Sequence, residues 1–168
     1  MITLKNVKHS EFASHETNCF EATVYWNGKK AGYAENSGQG GSSTIHWLTP
    51  AVRKEAQDWA DKQPDIVTDL PSITDKKELF SFPFDLECHV DELLEAHLQE
   101  KDMKAKLRTK ILIKDDTCGK GDFYAWSIKK YNLTKDELVK KILSCQKFEN
   151  PIVMNNLPLG EALAIWRS

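Results

Sequence analysis

Lys104, Lys106, Arg108 and Lys110 alternate with Ala105, Leu107 and Thr109 ahead of Ile111 and Ile113. Alternation with a period of two predicts a strand with one basic face, its charged side chains about 7 Å apart along the chain, although its first residues could still belong to the helix before it. Asp115 to Asp122, with Gly119 and Gly121, reads as a loop before a second β-rich run from Phe123 to Ile128, and the hairpin this implies sets Tyr124 and Trp126 beside the lysines. Basic side chains interleaved with aromatic rings suit contact with phosphates and stacking on bases. Two ordinary roles compete with binding. The acidic stretch just before can match these charges internally, and lysine-rich faces protect edge strands from aggregation.

Gly38-Gln39-Gly40-Gly41, followed by Ser42, Ser43 and Thr44, is the second stretch with chemical content. Glycine-rich loops cradle phosphates when their amides converge at a helix start. This one lacks the third glycine of a dinucleotide fingerprint and the Lys-Ser/Thr of a phosphate loop, and the next predicted helix opens only at Pro50. A structural loop is the ordinary reading. If a small anionic ligand binds, Ser42, Ser43 and Thr44 supply the donors. His89, Glu92, His97 and Glu100 have a spacing that permits a metal site, but without a cysteine partner or a His-Glu-x-x-His pattern they read as the polar flank of an amphipathic helix. No metal or cofactor is expected. No serine sits in a nucleophile elbow and no cysteine has a nearby histidine in a pattern that marks catalysis, so the chain is expected to have no chemistry of its own.

The elements that would position these residues begin with a hairpin over 19–36. Phe20, Ala22, Val24 and Trp26 alternate with polar neighbours, and Asn27-Gly28 is the preferred two-residue type I′ turn. Such a turn pairs Trp26 with Lys29, Val24 with Ala31 and Ala22 with Tyr33, and sets Phe20, Val24, Trp26, Ala31 and Tyr33 on the core face. Ile2, Leu4 and Val7 predict a strand before it. Thr49-Pro50 starts a helix over about 50–62, and Asp85 a second over about 85–101, with Leu86, Val90, Leu93, Leu94 and Leu98 at helical spacing. Residues 63–84, with Pro64, Pro71 and Pro83, predict an irregular connection. Thr134-Lys135-Asp136-Glu137 is a capping box opening a third helix; Pro151–Met154 suggests a short strand and Leu159–Trp166 a terminal helix. The expected fold is α+β, antiparallel hairpins near 19–36 and 106–128 forming a sheet packed against two or three amphipathic helices. The core should include Phe20, Val24, Trp26, Trp59, Leu93, Leu94, Ile111 and Ile113. The chain reads as one domain over 1–168, with 1–62 and 85–168 as sub-lobes.

Composition bounds the rest. Apolar residues make up 40% and charged residues 29% of the 168, ordinary for a globular protein, and no apolar run approaches the ~18 residues of a spanning helix. No membrane segment is expected. The N-terminus opens in strand-like sequence without a signal peptide's apolar core, which makes the cytoplasm the expected compartment. Cys19, Cys88, Cys118 and Cys145 show no pairing pattern and read as free thiols. The net charge of −2 conceals a partition: residues 55–100 hold 13 acids against 3 bases, and residues 101–147 hold 13 bases against 6 acids.

Lys5-Asn6-Val7-Lys8, Phe12-Ala13-Ser14, Glu16 to Ala22 and Gly28-Lys29-Lys30-Ala31-Gly32, ending in the glycine-rich loop, resemble a group of small uncharacterised proteins of bacteria and their phages or prophages. The resemblance covers the first quarter of the chain and brings no catalytic residue with it. It implies a cytoplasmic protein of a phage or mobile element that engages and inhibits a host protein, an antiviral defence component among the candidates. Two other functions stay open: a ligand sponge or nucleotide-processing enzyme using the glycine-rich loop, and nucleic-acid binding through the basic strand.

Overall fold

The computed structural model describes residues 1–71 and 78–168 as an α+β fold of antiparallel sheets and α-helices. The chain forms two compact units, Met1–Glu95 and Ala96–Ser168. No described helix is long and apolar enough to cross a membrane.

In the first unit β1 (Ile2–His9), β2 (Phe20–Trp26), β3 (Lys29–Asn36) and β4 (Thr44–Trp47) form an antiparallel sheet in chain order. Asn27 and Gly28 have φ of 48° and 81°, the two positive values a type I′ turn demands. Phe20, Ala22, Val24 and Trp26 are buried, as their period requires. The register then departs from the simple hairpin. Trp26 faces Lys29 and Tyr25 faces Lys30, but Val24 faces Gly32, so Ala31 is the extra residue of a β-bulge. A one-residue shift exchanges the faces of a strand. Tyr33, expected in the core, is therefore turned outward and 49% exposed, while Ala34 takes the inward position. Gly32 is required by the next strand: a Cβ there would lie 2.2 Å from the carbonyl oxygen of His46 on β4.

Helix α1 (Pro50–Ala60) is capped by Thr49, whose hydroxyl accepts from the Val52 amide at 3.3 Å. It buries Ala56 and Ala60 and half-buries Trp59, which meets Trp26 and Phe84 edge-on at 5.7 and 5.4 Å. Asp85 caps α2 (Leu86–Thr109), its carboxylate accepting from the amides of Glu87 and Cys88 at 2.7 and 3.2 Å. Leu86, Val90 and Leu94 of α2 are buried and Leu93 half-buried. The segment 63–84 is not irregular throughout. β5 (Ile66–Pro71) and β6 (Leu79–Phe82) pair antiparallel, with Pro71 at a strand end where its missing N–H costs nothing. Residues 72–77 of that segment lie outside the described residues.

The second unit holds the C-terminal half of α2, β7 (Lys110–Lys114), β8 (Tyr124–Ser127), α3 (Lys135–Cys145), β9 (Ile152–Val153) and α4 (Leu159–Arg167), with strand order β8-β7-β9. Its sheet is separate from that of the first hairpin. β7 is buried on both faces. Ile111 and Ile113 pack on Leu138 and Ile142 of α3, and Leu112 packs with Met103, Met154, Ala162 and Leu163. A doubly covered strand needs an unbroken apolar run, which Ile111-Leu112-Ile113 supplies. The capping box is complete: the Thr134 hydroxyl accepts from the Glu137 amide, and the Glu137 carboxylate accepts from the Thr134 amide at 2.8 Å.

The strand predicted from residue 104 is helix as far as Thr109 and strand from Lys110 to Lys114, so of the four basic residues only Lys110 belongs to β7. What allows α2 to run directly into β7 is Asn155. Its amide nitrogen donates to the carbonyls of Leu107 and Lys110 at 3.0 and 2.8 Å, and its oxygen accepts from the Leu112 amide at 2.8 Å. A side chain from far along the chain thus satisfies backbone groups that helix and strand leave open at their junction.

Lys114, the last residue of β7, is 8% exposed, and its Nζ has no hydrogen-bond partner among the described residues. A buried ammonium without a counter-charge costs several kcal/mol, whereas Met keeps the length of the stem without the charge. Lys114→Met should stabilise the chain by about 2 kcal/mol, read as a higher denaturant midpoint at unchanged slope. A lower midpoint would mean that the ammonium is needed by the fold.

Candidate functional site

Helical geometry redistributes the four basic residues. Successive residues turn 100° in a helix, so Lys104 and Arg108 share a face while Lys106 points elsewhere. Lys106 donates to Asp102 at 2.5 Å and lies 5.3 Å from the centre of the Phe123 ring; Lys110 sits opposite Ser127 in β7. Lys104 and Arg108 are joined instead by His97 and Lys101, spaced at i, i+4, i+7 and i+11, all exposed. These four, with Glu100 and the small Ala105, line an open hollow of about 570 Å³. At 1.5 Å of rise per residue the stripe is about 16 Å long. Lys104 donates to Glu100 at 2.5 Å, and this hydrogen bond and its charge hold the Glu100 carboxyl below the ordinary range. The basic charges also lie toward the C-terminal end of α2, where the helix dipole favours them.

Tyr124 and Trp126 are not beside this stripe. Paired through β8 with Ile113 and Ile111, they cluster with Phe148 at centroid distances of 5.6 and 6.1 Å. Below them Asp115, missed by the sequence reading, is buried and collects four donors: the Thr117 hydroxyl and amide at 2.6 and 3.1 Å, the Glu149 amide at 3.3 Å and the Cys118 thiol at 3.5 Å. The Thr117 hydroxyl above all, with these amides, lowers the Asp115 pKa from its ordinary value. A depressed carboxyl pKa gives stability that is complete above the unfolded pKa of about 4 and lost as pH falls through the folded one. Wild type should therefore lose thermal stability below about pH 4, while Asp115→Asn, less stable at neutrality, should converge on it there. A constant gap between the two melting curves down to pH 2 would contradict this role.

The glycine-rich loop divides between support and exposure. The Gly38 carbonyl accepts from the His15 and Glu16 amides at 2.9 and 3.0 Å, its amide donates to Asn36, and a Cβ there would lie 2.2 Å from the Ala13 carbonyl oxygen. Ser43 is buried and donates to Asp91 of α2. Gly41 offers its carbonyl to Asn36 at 3.2 Å. Gly40, Ser42 and Thr44 line an open cleft of about 630 Å³ together with residues of β1, β2 and β3. A strand, not a helix, follows the loop, so no helix dipole reinforces its amides. His9 and Ser14 stand 3.3 Å apart near this cleft, but the Ser14 hydroxyl donates to the Ser10 carbonyl and accepts from the Cys19 amide, both at 2.8 Å. That hydroxyl is engaged in the fold and is not poised as a nucleophile.

His89 packs against Trp59 and Phe84 and faces Glu92 at 3.4 Å, whereas His97 belongs to the basic stripe. Among the described residues no three His, Cys, Asp or Glu side chains could hold a metal ion, and the four cysteines are free thiols. The partition of charge follows the two units. Met1–Glu95 carries 9 Lys and Arg against 16 Asp and Glu, and Ala96–Ser168 carries 14 against 9. No family model matches the chain, nor does any curated protein or solved structure.

Proposed function

We propose that this chain is a non-enzymatic binding protein that docks on an acidic surface of a host protein through the His97–Lys101–Lys104–Arg108 face of α2. That face is the observation that carries the reading: four basic side chains in register over about 16 Å, exposed, with a single carboxylate among them. The context comes from the resemblance of the first quarter of the chain to phage and prophage proteins. It makes the partner a host protein in the cytoplasm, inhibited by being occupied, and a component of antiviral defence fits that role.

Nucleic acid is the second reading, because the same charges would neutralise phosphates. Among the described residues the hollow along the stripe holds no aromatic ring but the His97 imidazole: Tyr124 is taken up by Trp126 and Phe148, and Phe123 lies under Lys106. A protein surface is favoured on that ground. The test is a pull-down from the native host with wild type and with Lys101→Glu/Lys104→Glu/Arg108→Glu, analysed for protein and nucleic acid. A protein retained by wild type and lost by the variant supports the reading. Nucleic acid in its place, or equal recovery by both chains, overturns it.

A further inference from the structure

We infer that the free edge of β6 binds an extended segment of another protein, one that alternates apolar and small polar residues and carries basic residues at its ends. The β5–β6 ribbon has no third strand among the described residues. Thr68 fixes which groups face outward: its hydroxyl donates to the Phe80 carbonyl at 2.9 Å, so that carbonyl is turned toward β5, and the trans peptide that follows aims the Ser81 N–H at the open side. A strand laid along that side pairs with it.

Edge strands are ordinarily protected from such pairing by charge, by proline or by a bulge. β5 has Pro71 and a register shift between Val67 and Pro71. In Leu79-Phe80-Ser81-Phe82 none of these devices is present, and only the shortness of β6 limits what can pair with it. The ribbon also exposes Val67, Leu70, Leu79 and Phe80, at 63%, 65%, 54% and 41%. Together they show roughly 400 Å² of apolar surface, the scale at which a patch marks an interaction site. A two-stranded ribbon is marginal in water by itself, so an added strand stabilises it.

Area and charge decide the occupant. A second copy of the chain pairing through β6 would cover about 800 Å² in all, below the about 1,200 Å² of a stable interface. It would also set two acidic units, each with 16 acids against 9 bases, beside one another. A single extended segment needs no such area, because main-chain hydrogen bonds carry its affinity and alternate side chains its specificity. Residues 65–85 hold five acids against two lysines, so basic residues at the ends of the segment are attracted and acidic ones repelled.

This edge belongs to the first unit, and the inference does not rest on the α2 face. The experiment is a titration of the uniformly ¹⁵N-labelled full chain with the end-blocked peptide Lys-Val-Thr-Val-Thr-Val-Lys at about 0.15 M salt, where long-range attraction is screened. Saturable shifts should be confined to amides of β5 and β6, with Ser81 among the largest. The same peptide N-methylated at its three central residues should bind at least about tenfold more weakly, and a version with Glu in place of both Lys about threefold more weakly. Ser81→Pro should abolish binding yet keep the ribbon, since proline is tolerated on an edge strand where the N–H faces away from the ladder. Should that variant lose the ribbon, the N-methylated peptide still decides. A dilution series without peptide tests for a second copy. No saturation, shifts centred outside the ribbon, equal affinity of the N-methylated or the Glu-ended peptide, undiminished binding by a folded Ser81→Pro, or β6 shifts that follow chain concentration alone would each overturn the inference.

Discussion

Asn155→Ala is expected to destabilise the chain by about 3 kcal/mol, the sum of three hydrogen bonds worth about 1 kcal/mol each. The effect arises at the junction of α2 and β7, where one carboxamide closes the carbonyls of Leu107 and Lys110 and the amide of Leu112. Alanine leaves all three unpaired, with Leu112 itself fully buried. Asn155→Asp gives a sharper test, since a carboxylate keeps the acceptor for Leu112 but loses both donors and faces two carbonyls. It should be no more stable than the alanine variant. Denaturant midpoints of the three proteins decide the matter, and an aspartate variant close to wild type would show that the two carbonyls find water or another donor.

The second large effect is on binding. Lys101→Glu/Lys104→Glu/Arg108→Glu should lower affinity for the partner about 100-fold, which is about 2.7 kcal/mol. Most of the loss should appear in the association rate, and the salt dependence should flatten, because exposed charges act chiefly by steering encounter. Lys106→Glu is the control. Lys106 is engaged by Asp102 and lies off the stripe, so its reversal should change affinity less than threefold. An equal loss with Lys106→Glu would mean that overall charge, not the α2 face, governs binding. Circular dichroism separates either result from helix loss, which Lys104→Glu would promote only slightly by placing a second carboxylate one turn from Glu100.

Features decided by neighbours in sequence were legible. Asn27-Gly28, the Thr49 and Asp85 caps and the Thr134–Glu137 capping box all appear where local chemistry predicts them. What could not be read depends on distant partners. The alternation from Lys104 to Lys110 fits a strand, yet a helix with Met103 buried and Asn155 closing its end accommodates the same residues. The basic charge itself was visible, but which charges share a face changes with the period: at 3.6 residues per turn the set becomes His97, Lys101, Lys104 and Arg108. β4 has four residues behind a glycine-rich loop, too few for a periodic signal, and β5 ends on the proline that argued against it. Asp115 carried no motif, because its four donors come from Thr117, Cys118 and the distant Glu149.

The bulge at Ala31 gives the first sheet an unusual tolerance in evolutionary terms. Cross-strand partners share a face, so loss of the Ala31 codon would restore unbroken pairing and leave Tyr33 opposite Thr23, on the outward side it now occupies. The bulge absorbs one residue near the turn and leaves the outward row that includes Tyr33 and His46, stacked at 4.3 Å, in place. A lineage carrying this hairpin can thus gain or lose that residue without exchanging what its sheet presents to solvent, with the Asn27-Gly28 turn untouched. Relatives aligned without allowing that gap would have their inner and outer positions confused from residue 31 onward.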